Sequence, residues 1–280
     1  MAFKDLLLYL PTYPDAAAPE AADRALALCA GLGAAITAVA FEVRFTLSHN
    51  RLADALLHID DLAAAEEKRT AEVAAELLAR FERGARDAGL PASIVTLKSE
   101  TYEIPGKLAA LARTRDLCVI PYGKDTLGQR IAAEAVIFGS GRPALVIPAQ
   151  SGADESSSLG SVLIAWDGSR AAARAVADAM PLLTAASAVR VLTIVDEKKT
   201  AGRGAAAELV RHLAAHGVAA TVDEAEGSST TGIVLERIKS SKVDLLVMGA
   251  FGRSGIREFV LGGVTDDLLE RPPVPILLSH

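Results

Sequence analysis

The strongest constraint on the fold of this chain is an internal repetition of one β/α pattern. Short β-rich apolar runs alternate with alanine-rich amphipathic segments, the pattern of a parallel sheet covered by helices on both faces. In the first half the strand candidates are DLLLYL (5–10), AAITAVAF (34–41), ASIVTL (92–97), DLCVIPY (116–122) and PALVIP (143–148), with helical patterns over 18–31, 51–88, 102–113 and 126–138. The second half repeats the order with SVLIAW (161–166), VRVLTIV (189–195), VAATV (218–222), VDLLVMG (243–249) and VPILLS (274–279), separated by helical patterns near 169–184, 202–216, 230–240 and 255–270. Between them runs SGADESSSLG (151–160), small, polar and glycine-bearing as a domain boundary should be. The expectation is an α/β protein of two related domains, 1–150 and 160–280, each a five-stranded parallel sheet with helices on both faces. The length of 280 residues suits that count.

Composition removes several function classes. Aromatic residues make up 4% of the chain, too few for a base-stacking surface. The formal charge is −6, and residues 1–155 carry 16 Lys and Arg against 21 Asp and Glu while the remainder carries 13 against 14, so neither half is a basic nucleic-acid binder. Two cysteines cannot build a disulfide framework or a thiolate metal cluster, and Cys29 and Cys118 both sit in apolar runs where a thiol packs as a small hydrophobe. No apolar run reaches the roughly 18–20 residues of a spanning helix. The N-terminal stretch has too short an apolar region for a secretory signal. The expectation is a soluble cytoplasmic protein with neither membrane nor nucleic acid as partner.

In an open parallel sheet, ligands bind beyond the carboxyl ends of the strands, where the winding reverses. Two strand ends of the second half stand out. The first strand ends Trp166-Asp167-Gly168-Ser169, which places an acid at the crevice and a capping hydroxyl at the next helix. The fourth ends Met248-Gly249-Ala250-Phe251-Gly252-Arg253, followed by Gly262-Gly263-Val264-Thr265. Glycines there permit close backbone approach, and exposed N–H groups can cradle phosphate oxygens, with Arg253 adding positive charge and Thr265 a hydroxyl. Taken alone, such glycines more often serve turns and packing. Two adjacent glycines in a helical pattern are harder to explain, since each costs about 1 kcal/mol in a helix interior, so either something compensates or the helix begins only after them.

These residues resemble the universal stress protein family. The spacing G-x2-G-x9-G-[ST] is that family's nucleotide-binding pattern, with Gly249, Gly252 and Gly262 on its three glycines. Asp167-Gly168-Ser169, VDLLVMG and PVPILLS are similar as well, so the chain looks like a tandem member with the strong, near-complete motif only in residues 161–280. The resemblance implies that the second half binds ATP or another adenine nucleotide, with magnesium where ATP is the ligand. It places adenine near the backbone of Ile194 and ribose near Asp167. Phosphates would lie among Met248, Gly249, Gly252, Arg253, Gly262, Gly263, Val264 and Thr265. One departure is that Gly263 stands where the family has Ser or Thr, which removes a hydroxyl but keeps an amide. The resemblance also implies that PALVIP and PVPILLS pair the two halves as an intrachain pseudo-dimer, and it admits a further homodimer of chains.

The first half departs further. Its first strand ends Pro11-Thr12-Tyr13, and its fourth leads into Tyr122-Gly123-Lys124-Asp125-Thr126-Leu127-Gly128 with no glycine pair after it. This half reads as degenerate for nucleotide, a packing partner or the site of some other ligand. Gly139-Ser140-Gly141 reads as a helix stop and turn. His212 and His216 share a helix face but lack a third ligand, and Asp266-Asp267 reads as a solvated pair. No G-x-S-x-G elbow or base-flanked cysteine supports nucleophilic catalysis, and no base for nucleotide hydrolysis is identifiable. Two alternatives stay open: an interaction protein with vestigial sites, and a slow nucleotide hydrolase.

Overall fold

The computed structural model describes residues 2–46, 59–123, 127–149, 159–195, 204–227, 229–250 and 263–280. The first unit contains strands β1 (Asp5–Leu10), β2 (Ala35–Arg44), β3 (Ala92–Glu100), β4 (Leu117–Pro121) and β5 (Ala144–Ile147). Its helices are α1 (Pro19–Gly31), α2 (Ile59–Asp87), α3 (Ile104–Ala112) and α4 (Leu127–Gly139). The second unit contains β6 (Ser161–Ala165), β7 (Ala188–Val195), β8 (Ala220–Glu226), β9 (Leu245–Gly249) and β10 (Ile276–Ser279). Its helices are α5 (Arg170–Leu183), α6 (Ala205–Ala215), α7 (Thr230–Ser240) and α8 (Gly263–Glu270).

All ten strands form one sheet in the order β3-β2-β1-β4-β5-β10-β9-β6-β7-β8. Each unit is parallel within itself, and both have the same strand order read outward from the middle. The units meet where β5 runs antiparallel to β10, pairing Val146 with Ile276, Leu145 with Leu277 and Ala144 with Leu278. A pseudo-two-fold axis therefore passes near the Leu145–Leu277 pair. The seam removes two of the four edges that separate sheets would expose.

Period-two alternation sends the strand side chains to opposite faces. Leu6, Leu8 and Leu10 join one core with α1, α2, α5 and α6, while Leu7 and Tyr9 join the other with α3, α4, α7 and α8. Both cores run through the seam, since the first contains Leu145 and Leu277 and the second Val146, Ile276 and Leu278. Cys29 and Cys118 are fully buried, and burial pushes the Cys29 thiol up to about 12.

One device occurs in both units. Asp116, just before β4, accepts the Lys4 and Asp5 amides on Oδ2 at 2.7 and 3.1 Å, while its own N–H donates to the Asp5 carbonyl at 2.8 Å. Asp244, just before β9, accepts the Ser161 amide at 2.8 Å and donates its N–H to the Ser161 carbonyl at 2.8 Å. Each acid ties the start of its unit's central strand to the start of the fourth. Asp244→Ala leaves the Ser161 amide without its acceptor, and a loss of about 1–3 kcal/mol is expected in urea unfolding. Asp244→Asn, which keeps a carbonyl oxygen, is expected to lose less.

Candidate functional site

Within the second unit the winding reverses between β6 and β9, which are paired with Ala165 opposite Met248. Asp167 and Gly249 thus sit at neighbouring carboxyl ends on the two sides of the switch point. The residues from Trp166 to Ser169 form a tight connection from β6 to α5. Asp167 Oδ1 accepts the Ser169 amide at 2.9 Å, Gly168 takes φ +71°, and Ser169 Oγ accepts the Ala172 amide at 3.1 Å as the helix cap. The left-handed Gly168 lets the carboxylate fold over the turn, a conformation strained for other L residues. The Trp166 side chain is partly buried against the core with its indole N–H unpartnered among the described residues, while its backbone amide donates to the Leu192 carbonyl at 2.8 Å. Ile194, near the end of β7, pairs with Ala225 of β8 and packs partly on the other core.

Gly249 has a packing role beyond any ligand contact. A Cβ there would lie 2.4 Å from the Ala172 nitrogen and 2.5 Å from the Ala171 carbonyl carbon, so the first turn of α5 rests directly on the end of β9. Of the helical pattern expected over 255–270, the described residues form α8 (Gly263–Glu270), with Gly263 in its first turn; 255–262 lie outside the described residues. Gly263 is exposed, with nothing within 4 Å of where a Cβ would stand; Val264 is half-buried, and Thr265 is buried beside Leu268 and Leu269. Gly252, Arg253 and Gly262 lie outside the described residues.

The first unit's equivalent crevice is filled by its own chain. Eight residues, 11–18, join β1 to α1, against four, 166–169, between β6 and α5. This longer connection folds back through an Ala17 N–H to Pro11 carbonyl bond of 2.8 Å, and the buried Thr12 hydroxyl donates to the Phe41 carbonyl. The Gln129 side chain, 1% exposed, donates from Nε2 to the Asp15 carbonyl at 3.3 Å. A Cβ on Gly123 would sit 2.9 Å from the Ala16 oxygen, and one on Gly128 2.9 Å from Pro14 Cδ. Gly123 and Gly128 thus admit the close approach of this loop. Gly139 ends α4 and Gly141 takes φ +71°, forming the stop and turn that the sequence indicates.

Among the described residues no group of three or more His, Cys, Asp or Glu is placed to hold a metal, and the His212 and His216 rings pack edge to face at 4.8 Å on α6. A groove of about 510 Å³ lies along β8, lined by Arg190, Asp223, Arg237 and neighbours, where Asp223 engages Arg237 Nε at 2.9 Å. Ser229 caps α7 by accepting the Gly232 amide at 3.3 Å. Of the Asp266-Asp267 pair, Asp267 is exposed as the solvated reading expects, and Asp266 departs from it. Asp266 Oδ1 is buried 3.8 Å from Arg130 Nη1, and Asp267 accepts the Thr231 hydroxyl at 2.9 Å. Both contacts join segments far apart in sequence, which local charge patterning does not report.

Residues 159–280 match the universal stress protein family model. The matched span begins just before β6 and includes both strand ends of the switch point. Similar folds extend over the whole chain. A universal stress protein from Archaeoglobus fulgidus aligns over 98% of this chain and 98% of its own, with a TM-score of 0.63 at 16% identity. A functionally unknown protein from Pseudomonas aeruginosa PAO1 aligns over 99% of this chain and 92% of its own, with a TM-score of 0.58 at 14% identity. A putative universal stress protein from Pseudomonas aeruginosa UCBPP-PA14 gives 99%, 93%, 0.58 and 15% for the same quantities. At these identities the likeness concerns the fold. No curated protein matches the chain. Among the described residues no helix is long and apolar enough to cross a membrane.

Proposed function

We propose that the second unit binds an adenine nucleotide at the β6–β9 switch point, as a regulatory ligand in a stress response, while the first unit serves as its packing partner. The observation that carries this reading is the contrast between two equivalent crevices. In the first, residues 11–18 and Gln129 occupy the space beyond β1 and β4; in the second, a four-residue turn keeps Asp167 at the end of β6. The family match over 159–280 supports it, because it falls on the half that carries the glycine spacing.

In this reading the Ile194 backbone meets adenine and Asp167 lies near the ribose. Amides around Met248, Gly249, Gly263 and Val264 meet the phosphates, together with Thr265 and the loop residues Gly252, Arg253 and Gly262. Magnesium accompanies ATP through its phosphates, with Asp167 the nearest acid of this set. The ligand acts by stabilising the folded form, by RT ln(1 + [L]/Kd), which links nucleotide level to the population of the protein and its contacts. The protein works in the cytoplasm in this account.

A thermal-shift series with ATP, AMP and cyclic AMP, with and without magnesium, tests the proposal. At a hundredfold excess over Kd the melting temperature is expected to rise by about 5 °C with at least one nucleotide. No shift with any of them at millimolar concentration contradicts the reading.

A further inference from the structure

Helices α4 and α8 occupy corresponding places in the two units, each leading into a seam strand. The buried pair Val136–Ile137 stands at the same spacing before β5 as Leu268–Leu269 stands before β10. That spacing equates Glu134 with Asp266, and Arg130 with Gly262. Two carboxylates therefore approach one another from opposite sides of the pseudo-two-fold axis, and only the first unit carries an arginine at the neighbouring position.

Arg130 bridges both acids. Its Nε lies 3.4 Å from Glu134 Oε1, and its Nη1 lies 3.8 Å from Asp266 Oδ1 across the seam. Arg130 Nε, Glu134 Oε1, Asp266 Oδ1 and the hydroxyl of fully buried Tyr122 are each buried without a hydrogen-bond partner. Buried polar atoms are nearly always satisfied, so four together mark a site held by charge rather than by fitted hydrogen bonds. The described part of α8, Gly263–Glu270, is held by contacts from both units. Leu268 and Leu269 anchor it to the core, Thr231 of α7 holds Asp267, and Arg130 is its charged anchor in the other unit.

We propose that Arg130 is a positioning residue through which the first unit sets the placement of α8, and with it the nucleotide affinity of the second. This rests on the adenine-nucleotide reading above, in which the start of α8 borders the phosphates. The assignment also explains the asymmetry of the units. The position that holds the third motif glycine, Gly262, in the second unit holds the clasping arginine in the first.

The charges facing Glu134 are Arg130 and Asp266, and those facing Asp266 are Arg130 and Asp267. From α3, packed on α4, Arg113 is engaged to the Gly139 carbonyl. Burial, offset by Arg130, holds the Glu134 and Asp266 carboxyls above their ordinary range. A carboxyl raised in the folded state binds protons more tightly there than in the unfolded chain. Its contribution to stability is thus present at acidic pH and lost as pH rises through the folded value.

The test compares Arg130→Met, Arg130→Lys and Arg130→Met with Asp266→Asn. It reads hydrogen exchange of the 263–270 amides and ATP affinity. Arg130→Met leaves two carboxylates without their cation; faster exchange and an affinity loss of about fivefold or more are expected. Arg130→Lys is expected to keep most of both, and Asp266→Asn in the Met background to recover part of both. Unchanged exchange in Arg130→Met overturns the proposal, and so does a loss that Asp266→Asn does not relieve, since that is lost packing alone. A wild type that binds no nucleotide removes the proposed function, while the exchange comparison still decides the clasp. Should Arg130→Met fail to fold, Arg130→Gln takes its place with the same readouts, and unchanged exchange of the 263–270 amides overturns the proposal.

Discussion

Gly249→Ala is expected to lose about 2–3 kcal/mol of folding stability, and Gly249→Val to fail to reach the native state at all. The added methyl group meets the Ala172 nitrogen at 2.4 Å and the Ala171 carbonyl carbon at 2.5 Å. These are backbone atoms in the first turn of a helix capped by Ser169, so they cannot rotate away as a flexible side chain would. Relief requires α5 to move off the sheet, which opens the buried contacts of Ala172, Ala175 and Val176. Urea unfolding without nucleotide reads the effect, and an alanine variant within about 0.5 kcal/mol of wild type contradicts it. Because Gly249 is also the first glycine of the motif, a loss of nucleotide binding in such a variant says nothing about ligand contact.

Leu277→Asp is expected to break the seam between the units. Leu277 is fully buried and faces Leu145, itself 1% exposed, at the centre of the β5–β10 pairing. Leu277→Ala removes buried methyl groups at a cost of about 2–5 kcal/mol. The aspartate adds an unpaired charge within a core shared by both units, which exceeds the stability margin of many proteins. Since both cores run through the seam, wild type is expected to unfold in one calorimetric transition and the aspartate variant to show two or none. A Leu277→Asp protein melting within about 2 °C of wild type contradicts the continuous sheet.

The elements were legible because they rest on local periodicity. The apolar runs at 5–10, 116–122 and 161–166 appear as β1, β4 and β6 with ends shifted by one residue or less, and PALVIP meets PVPILLS as the resemblance implied. Ser169 caps α5 as its place after Asp167-Gly168 indicates. The missing parts are contacts between distant residues. The RDL and VDL runs were visible as repeats, but nothing local says that Asp116 accepts amides 111 and 112 residues away. The longer β1–α1 connection was countable, yet that it folds onto Gln129 follows only from the packing of α4. Asp266 looks solvated in a one-dimensional reading because Arg130 reaches it across the pseudo-two-fold axis. Gly249 was singled out for ligand approach; the structure shows helix packing at the same atom, which only the three-dimensional contact with α5 reveals.

Nucleotide is expected to enter the crevice of the second unit and not that of the first. Amide and indole chemical shifts, followed during titration with ATP and magnesium, test it residue by residue, and Trp166 provides a unique indole signal beside Asp167. The account predicts saturable shifts at Trp166, Asp167, Ile194, Met248, Gly249 and the first turn of α8, with Thr12, Tyr122 and Gly123 unmoved. Shifts concentrated at Thr12, Tyr122 and Gly123, or none anywhere at millimolar ATP, would contradict it.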